Sequence, residues 1–246
     1  MQDTPETPGG APDPATGPAP GAGTPPPGAA VAPPPPALAF AQTGARKSLV
    51  ERAKDIVTSP KTEWPIIDAE PGTVSGLFTG YAMILAAIGP IASVIGLTMI
   101  GFPIGYALTM ALISYAVALG GVFLNAIIID AFAPSFGGTK NLVQATKVAV
   151  YSATPVWLAG ILNLIPQLAP LTGLVALAAL GYGVYLLYLG LPRLMRVAPD
   201  KTAAYLLVVI GAWVVIYLLL AFVIAGMLLS MFYGSALGGG GGRIGY

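Results

Sequence analysis

The stretch Gly181–Lys201, GYGVYLLYLGLPRLMRVAPDK, decides the fold. It opens inside an apolar, aromatic helix, leaves that helix at Pro192 and arrives in a short basic segment holding Arg193, Arg196 and Lys201. An apolar run that closes on basic residues is the exit of a membrane helix into the compartment that favours Lys and Arg. Upstream, no Asp, Glu, Lys or Arg occurs between Val148 and Pro192, and between Pro71 and Gly138 only Asp130 does. Both tracts far exceed the roughly 20 apolar residues that cross a bilayer. Over the whole chain 9% of residues are charged and 56% hydrophobic, where a soluble domain carries about 25% charged residues. The fold class is therefore an all-α membrane protein.

Working outward, the pattern predicts a bundle of five transmembrane helices over about 77–100, 107–129, 148–165, 171–191 and 205–232. Pro90 and Pro155 fall inside spans, where neighbouring helices can satisfy the carbonyls that proline frees; kinks are expected at both. The fifth run is longer than a bilayer needs and should tilt or project. Ten basic residues lie on one side: Arg46, Lys47, Arg52, Lys54 and Lys61 before the first span, Lys140 and Lys147 between the second and third, and Arg193, Arg196 and Lys201 between the fourth and fifth. The other side holds Arg243 alone. This asymmetry puts the N-terminus in the cytoplasm and the C-terminus across the membrane.

The flanks divide by composition. Residues 1–45 are dominated by Pro, Gly and Ala, with the run Pro33–Pro36; such a tail cannot bury enough surface to offset the entropy of ordering and is expected to be disordered. Residues 46–70 form an amphipathic juxtamembrane segment. Ser48 and Glu51 have capping-box spacing, and Leu49, Val50, Ala53, Ile56 and Val57 share one helical face opposite Arg52, Lys54 and Asp55. Such a helix, ending near Trp64-Pro65, either lies in the membrane interface or packs on protein beneath the bundle. Residues 71–233 are the membrane domain, and 234–246 a glycine-rich tail expected to be flexible.

Cys and His are both absent, so thiol chemistry, disulfides, His-containing metal sites and imidazole acid–base catalysis are excluded. Aspartyl proteolysis within the membrane needs two acids, and only Asp130 is available. No catalytic, cofactor-binding or metal-ligating set is expected, and a net charge of +1 points to no nucleic-acid partner. Asp130, at the cytoplasmic end of the second span, is the candidate polar site. It is either a solvated, loop-bracing carboxylate with Lys140 or Lys147 as partner, or a proton- or cation-handling group. Gly137-Gly138-Thr139-Lys140 lacks the remainder of a phosphate loop and is expected to be a turn capped by Thr139 or Asn141. Small residues recur at helical spacing: Ala107, Ala111, Ser114, Ala118, Gly121 and Asn125 in the second span, and Thr172, Ala176, Ala179 and Gly183 in the fourth. In lipid, helices associate through such close-packing faces, so Ser114, Ala118, Gly121, Asn125, Ala176, Ala179 and Gly183 are the candidate packing residues.

Three stretches carry a resemblance: RAKDIVTSPKTEWPIIDAEP (Arg52–Pro71), DAFAPSFGGTKNLVQATKVAVYSATPVWLAGIL (Asp130–Leu162) and YLLYLGLPRLM (Tyr185–Met195). From about Leu49 to Tyr233 the chain resembles the Yip1 family, in its bacterial branch. The resemblance implies five spans with a cytoplasmic N-terminus and a place in the bacterial inner membrane, with the eukaryotic endoplasmic reticulum or Golgi as the alternative. Eukaryotic members are trafficking adaptors that bind Rab-type small GTPases and carry Asp-Leu-Tyr-Gly-Pro before the first span; the corresponding stretch here reads Glu63-Trp64-Pro65. The implied function is interaction, as a scaffold, adaptor or membrane-organising protein whose partners are the bilayer and other membrane proteins or a second copy. The alternative is a small solute or ion transporter or channel.

Overall fold

The computed structural model describes residues 47–238; the predicted disordered tail at 1–45 lies outside them, as do the last eight residues. Two short helices come first, α1 (Leu49–Thr58) and α2 (Pro60–Ala69). Ser48 and Glu51 close a reciprocal capping box on α1, and Pro60 starts α2 at the position where its missing N–H is no loss.

Five longer helices follow, each long and apolar enough to cross a membrane. The first, α3 (Val74–Met99), is broken. A π-helical turn occupies Phe78–Ala82, and the helix re-forms at Ile88 after a break at Ala87. Pro90 explains the break, because its ring collides with the carbonyl four residues earlier. Next to it the Tyr115 hydroxyl donates to the Met83 carbonyl at 2.9 Å, a neighbouring helix satisfying disturbed backbone. The second, α4 (Ile104–Phe132), runs into a 3-10 turn over Ala133–Phe136 and stops at Gly137, whose φ is 75°. Asn141 caps α5 (Leu142–Ala159), which passes through Pro155 and tightens to 3-10 geometry at Gly160–Leu164. The fourth, α6 (Ala169–Leu194), continues two residues past Pro192, so the helix exit expected at Pro192 lies near Met195. The last, α7 (Pro199–Gly238), has 40 residues. At 1.5 Å per residue that is about 60 Å, twice the ~30 Å hydrocarbon core, and its helix extends into the glycine-rich region expected to be flexible.

α5 is the axis of the bundle. Of its most apolar window 61% is buried, against 17–28% for the other four spans, and its mean hydropathy is the lowest of the five. The two facts have one cause. α5 is covered by protein rather than lipid, so it can carry Thr146, Ser152 and Thr154 buried among its neighbours. The outer helices do the reverse and turn Leu112, Val117, Leu174, Leu177, Leu218 and Phe222 outward. Apolar surface on that scale is unfavourable in water and natural against acyl chains.

The basic loops gather at one end. Arg196 reaches Asp68, Lys140 lies 4.0 Å from Asp130, and Lys147 donates to carbonyls of α2. We expect a cysteine introduced at Ala198, in a chain that has none, to be shielded in intact cells from an impermeant thiol reagent, and one at Ser235 to react. Reaction at Ala198 instead would reverse the orientation.

Candidate functional site

The site is the layer where α1 and α2 dock on the cytoplasmic end of the bundle. Local sequence explains the docking face. Ala53 and Ile56 of α1, and Trp64 and Ile67 of α2, recur at helical spacing, and all four are buried. Val50, counted with that face from sequence, is 72% exposed. Of the two settings open for this segment, the structure adopts packing on protein.

Trp64 is the anchor. Its ring meets Tyr151 of α5 edge-on, with centroids 6.5 Å apart, and it lies over Gly190 of α6. A Cβ at position 190 would come within 2.9 Å of the indole, so glycine there is what lets α2 approach. The Tyr182 hydroxyl donates to the Val57 carbonyl at 2.6 Å, tying the end of α1 to α6.

Around this apolar contact lies a buried ionic cluster. Arg52 donates to Glu63 and to Glu70; the side chains of Arg52 and Glu63 are only 5% and 2% exposed. Lys47 bridges Asp55 and Glu63, each at 2.7 Å, and the Arg52 guanidinium lies 5.9 Å from the Tyr151 ring centre. Desolvation opposes the charge on Lys47, but its hydrogen bonds with Asp55 and Glu63 outweigh that and hold the ammonium above the ordinary lysine value. The Lys47 hydrogen bond in turn holds the Asp55 carboxyl below the usual carboxylate range. Burying one such charge alone would be prohibitive; the cluster is tolerable because each member has hydrogen-bonded partners of opposite sign.

The bundle contributes two further contacts. Lys147 of α5 is buried and donates to the Ile67 and Glu70 carbonyls at 2.8 and 2.6 Å. These are carbonyls at the C-terminal end of α2, where an ammonium also meets the negative end of the helix dipole. Arg196, beyond α6, takes φ 58°, a left-handed conformation that costs a non-glycine residue about 1 kcal/mol. In that conformation its guanidinium makes a two-pronged contact with Asp68 at 2.9 and 3.2 Å. Gln144 donates to the same carboxylate at 3.1 Å.

A cleft of about 330 Å³ opens beside the cluster, between Lys47, Arg52 and Glu70 on one side and Gly76, Leu77 and Gly80 of α3 on the other, with Lys147, Tyr81 and Tyr151 at its back. Tyr81 and Thr154 share a buried hydrogen bond of 3.0 Å below it.

The residues singled out from sequence lie elsewhere. Asp130 ends α4 with one carboxylate oxygen 4.0 Å from the Lys140 ammonium and the other buried without a hydrogen-bond partner. Asn125 accepts from the Trp213 indole at 3.0 Å, and Gly121 packs on the same ring, so these two face α7. Gly183 is buried against α5. Ala118 and Ala179 are half-buried, whereas Ser114 and Ala176 are exposed, Ser114 donating to the Ala111 carbonyl of its own helix. A Cβ at Gly183 would stand 2.8 Å from the Ser152 carbonyl oxygen. Gly183→Leu is therefore expected to destabilise the detergent-solubilised protein by about 1–3 kcal/mol. Gly181→Leu, where a Cβ meets nothing within 4 Å, is expected to leave the unfolding temperature in place. Equal losses would refute the close α5–α6 contact.

Sequence reasoning did not find the Arg52–Glu63–Glu70 cluster, Lys147 as a cap on α2, or the Trp64–Gly190 contact. A signal existed: five bases and three acids crowd residues 46–63, more alternating charge than a helix lying on lipid requires.

Three comparisons bear on this arrangement. The Yip1 domain profile matches residues 54–223. The chain is 32% identical over 160 residues to the inner membrane protein YohC of Escherichia coli K12, covering 61% of this chain and 82% of the relative. The same figures hold for YohC of Escherichia coli O6:H1. No solved structure matches the chain.

Proposed function

This chain belongs to the Yip1 domain family, and from that premise we propose that it acts by interaction, as an adaptor or scaffold that presents the docked α1–α2 pair to other membrane proteins. It is a multi-pass protein of the bacterial cell membrane. The observation that carries the proposal is where the polar groups sit. Among the described residues, the buried ionic cluster lies at the cytoplasmic end, holding α1 and α2 on the bundle. Several polar side chains deeper in the spans pair with one another or with backbone, Tyr81 with Thr154, Asn125 with Trp213 and Tyr115 with the Met83 carbonyl, while the buried Ser152 and Thr172 hydroxyls have no such partner. Such pairing is how intramembrane polar groups hold helices together. Val50, Lys54 and Lys61 are left on the outer surface of the docked pair.

One observation favours transport as a second reading, the buried Asp130 oxygen without a hydrogen-bond partner. A photo-crosslinking residue at Val50, used in the native membrane, separates the two. Adduct with the same protein from repeated preparations, lost in Glu63→Ala, is the expected result. No adduct at Val50, together with solute flux in proteoliposomes that Asp130→Asn abolishes, would replace interaction with transport.

A further inference from the structure

We infer that the cleft between α1 and the start of α3 is a binding site for a glycerophospholipid, with the headgroup phosphodiester at the cationic end and an acyl chain along the glycine side of α3. The inference does not depend on which protein partner the docked pair serves.

Position is the first argument. The cleft is lined by Gly72 and Thr73, immediately before α3 begins, and by Gly76 and Gly80 in its first turns. It thus straddles the level where the chain leaves water for lipid, where the headgroups of the cytoplasmic leaflet lie. Chemistry is the second. Lys47, Arg52 and Lys147 line the cleft against one acid, Glu70. Behind them Asp55 and Glu63 offset the remaining charge. The three cations and three carboxylates balance, so a singly charged phosphodiester brings the least uncompensated charge to the cleft and a polyphosphate several times more.

Shape is the third argument. Gly76 and Gly80 are four residues apart on α3, so they lie on one side of the helix, and both are exposed. A Cβ at Gly80 would meet nothing within 4 Å, although Gly80 borders the cleft. Among the described residues, no side chain occupies the position that this Cβ would take. With Leu49 of α1 and Leu77 of α3 also in the lining, the cleft offers apolar contacts next to its charged ones, as a phospholipid requires.

The same geometry supplies the test. Gly80→Leu adds a side chain at the border of the cleft whose Cβ meets nothing within 4 Å, and Gly173→Leu is the control on α6, away from the cleft, where a Cβ also meets nothing. The full chain in detergent is offered phosphatidylglycerol, phosphatidylethanolamine, diacylglycerol or soluble glycerophosphate, and retained ligand is read by native mass spectrometry. The wild type and Gly173→Leu are expected to retain a phospholipid and no diacylglycerol, and Gly80→Leu to retain it about tenfold more weakly, a loss of ~1.4 kcal/mol. Undiminished retention by Gly80→Leu, or an equal loss in Gly173→Leu, would overturn the site. Glycerophosphate binding equally to wild type and Gly80→Leu would show a free anion in place of a lipid and overturn the assignment as well. Unchanged unfolding temperatures of both variants show that a loss of ligand is not a loss of fold.

Discussion

Glu63→Ala is expected to cost about 3 kcal/mol or more of stability and to loosen α1 and α2 from the bundle, because it leaves one partner of a buried ion pair behind. Removing one member of such a pair typically costs about 3–5 kcal/mol, since the remaining charge stays desolvated and uncompensated. Here two cations lose a partner at once. Arg52 keeps Glu70, and Lys47 keeps Asp55, so neither is stranded completely and the lower part of that range applies. Glu63→Gln keeps the shape and some hydrogen bonding and should fall between wild type and Glu63→Ala. Arg52→Met combined with Glu63→Leu should cost less than the two single losses together, because no unpaired buried charge remains at the centre of the cluster. Thermal unfolding in detergent of the wild type, these variants and the two single substitutions of the double measures each loss. A Glu63→Ala protein as stable as wild type would mean that the pair is solvated in the membrane.

Trp64→Ala is expected to have an effect of the same size by a different route. The indole is 2% exposed and fills the space that Gly190 leaves open. Truncating a buried Trp to Ala costs about 3–5 kcal/mol from lost transfer energy and the cavity left behind. The loss should be local. Trp64 is outside the five spans, so the spans should keep their helicity while α1 and α2 become accessible, and trypsin added to inside-out vesicles should cut more readily at Lys54 and Lys61. Unchanged cleavage with intact helicity would mean that α2 is held by the ionic contacts alone.

Much of the fold is legible in the sequence because it is local. Five apolar tracts, the Ser48–Glu51 box, the Asn141 cap and the basic loops are each decided within a few residues or by bilayer thickness. The ends of α6 and α7 are less so. Pro192 lies only two residues from the end of α6, and α7 runs on through Gly234 to Gly238. The candidate site is barely legible, for a physical reason. Arg52, Glu63 and Glu70 are paired within one segment, but Arg52 lies over Tyr151 on α5 and the neighbouring Trp64 packs on Gly190 on α6, both far along the chain. The small-residue rhythm has the same limit: it marks one face of a helix without saying what covers it. Gly183 meets the backbone of α5 and Gly121 meets Trp213, while Ser114 and Ala176, on the same stripes, are exposed.

The central claim is that α1 and α2 are held on protein by the buried ionic cluster, and cysteine accessibility at Ile56 tests it most directly. Ile56 is fully buried, and Val50 on the same helix is exposed. In inside-out vesicles, Ile56→Cys should resist a soluble maleimide while Val50→Cys reacts, and adding Glu63→Ala should make Ile56→Cys reactive without changing Val50→Cys. An Ile56→Cys that stays equally shielded with and without Glu63 would mean that the ionic cluster is not what holds α1 in place and would contradict the account.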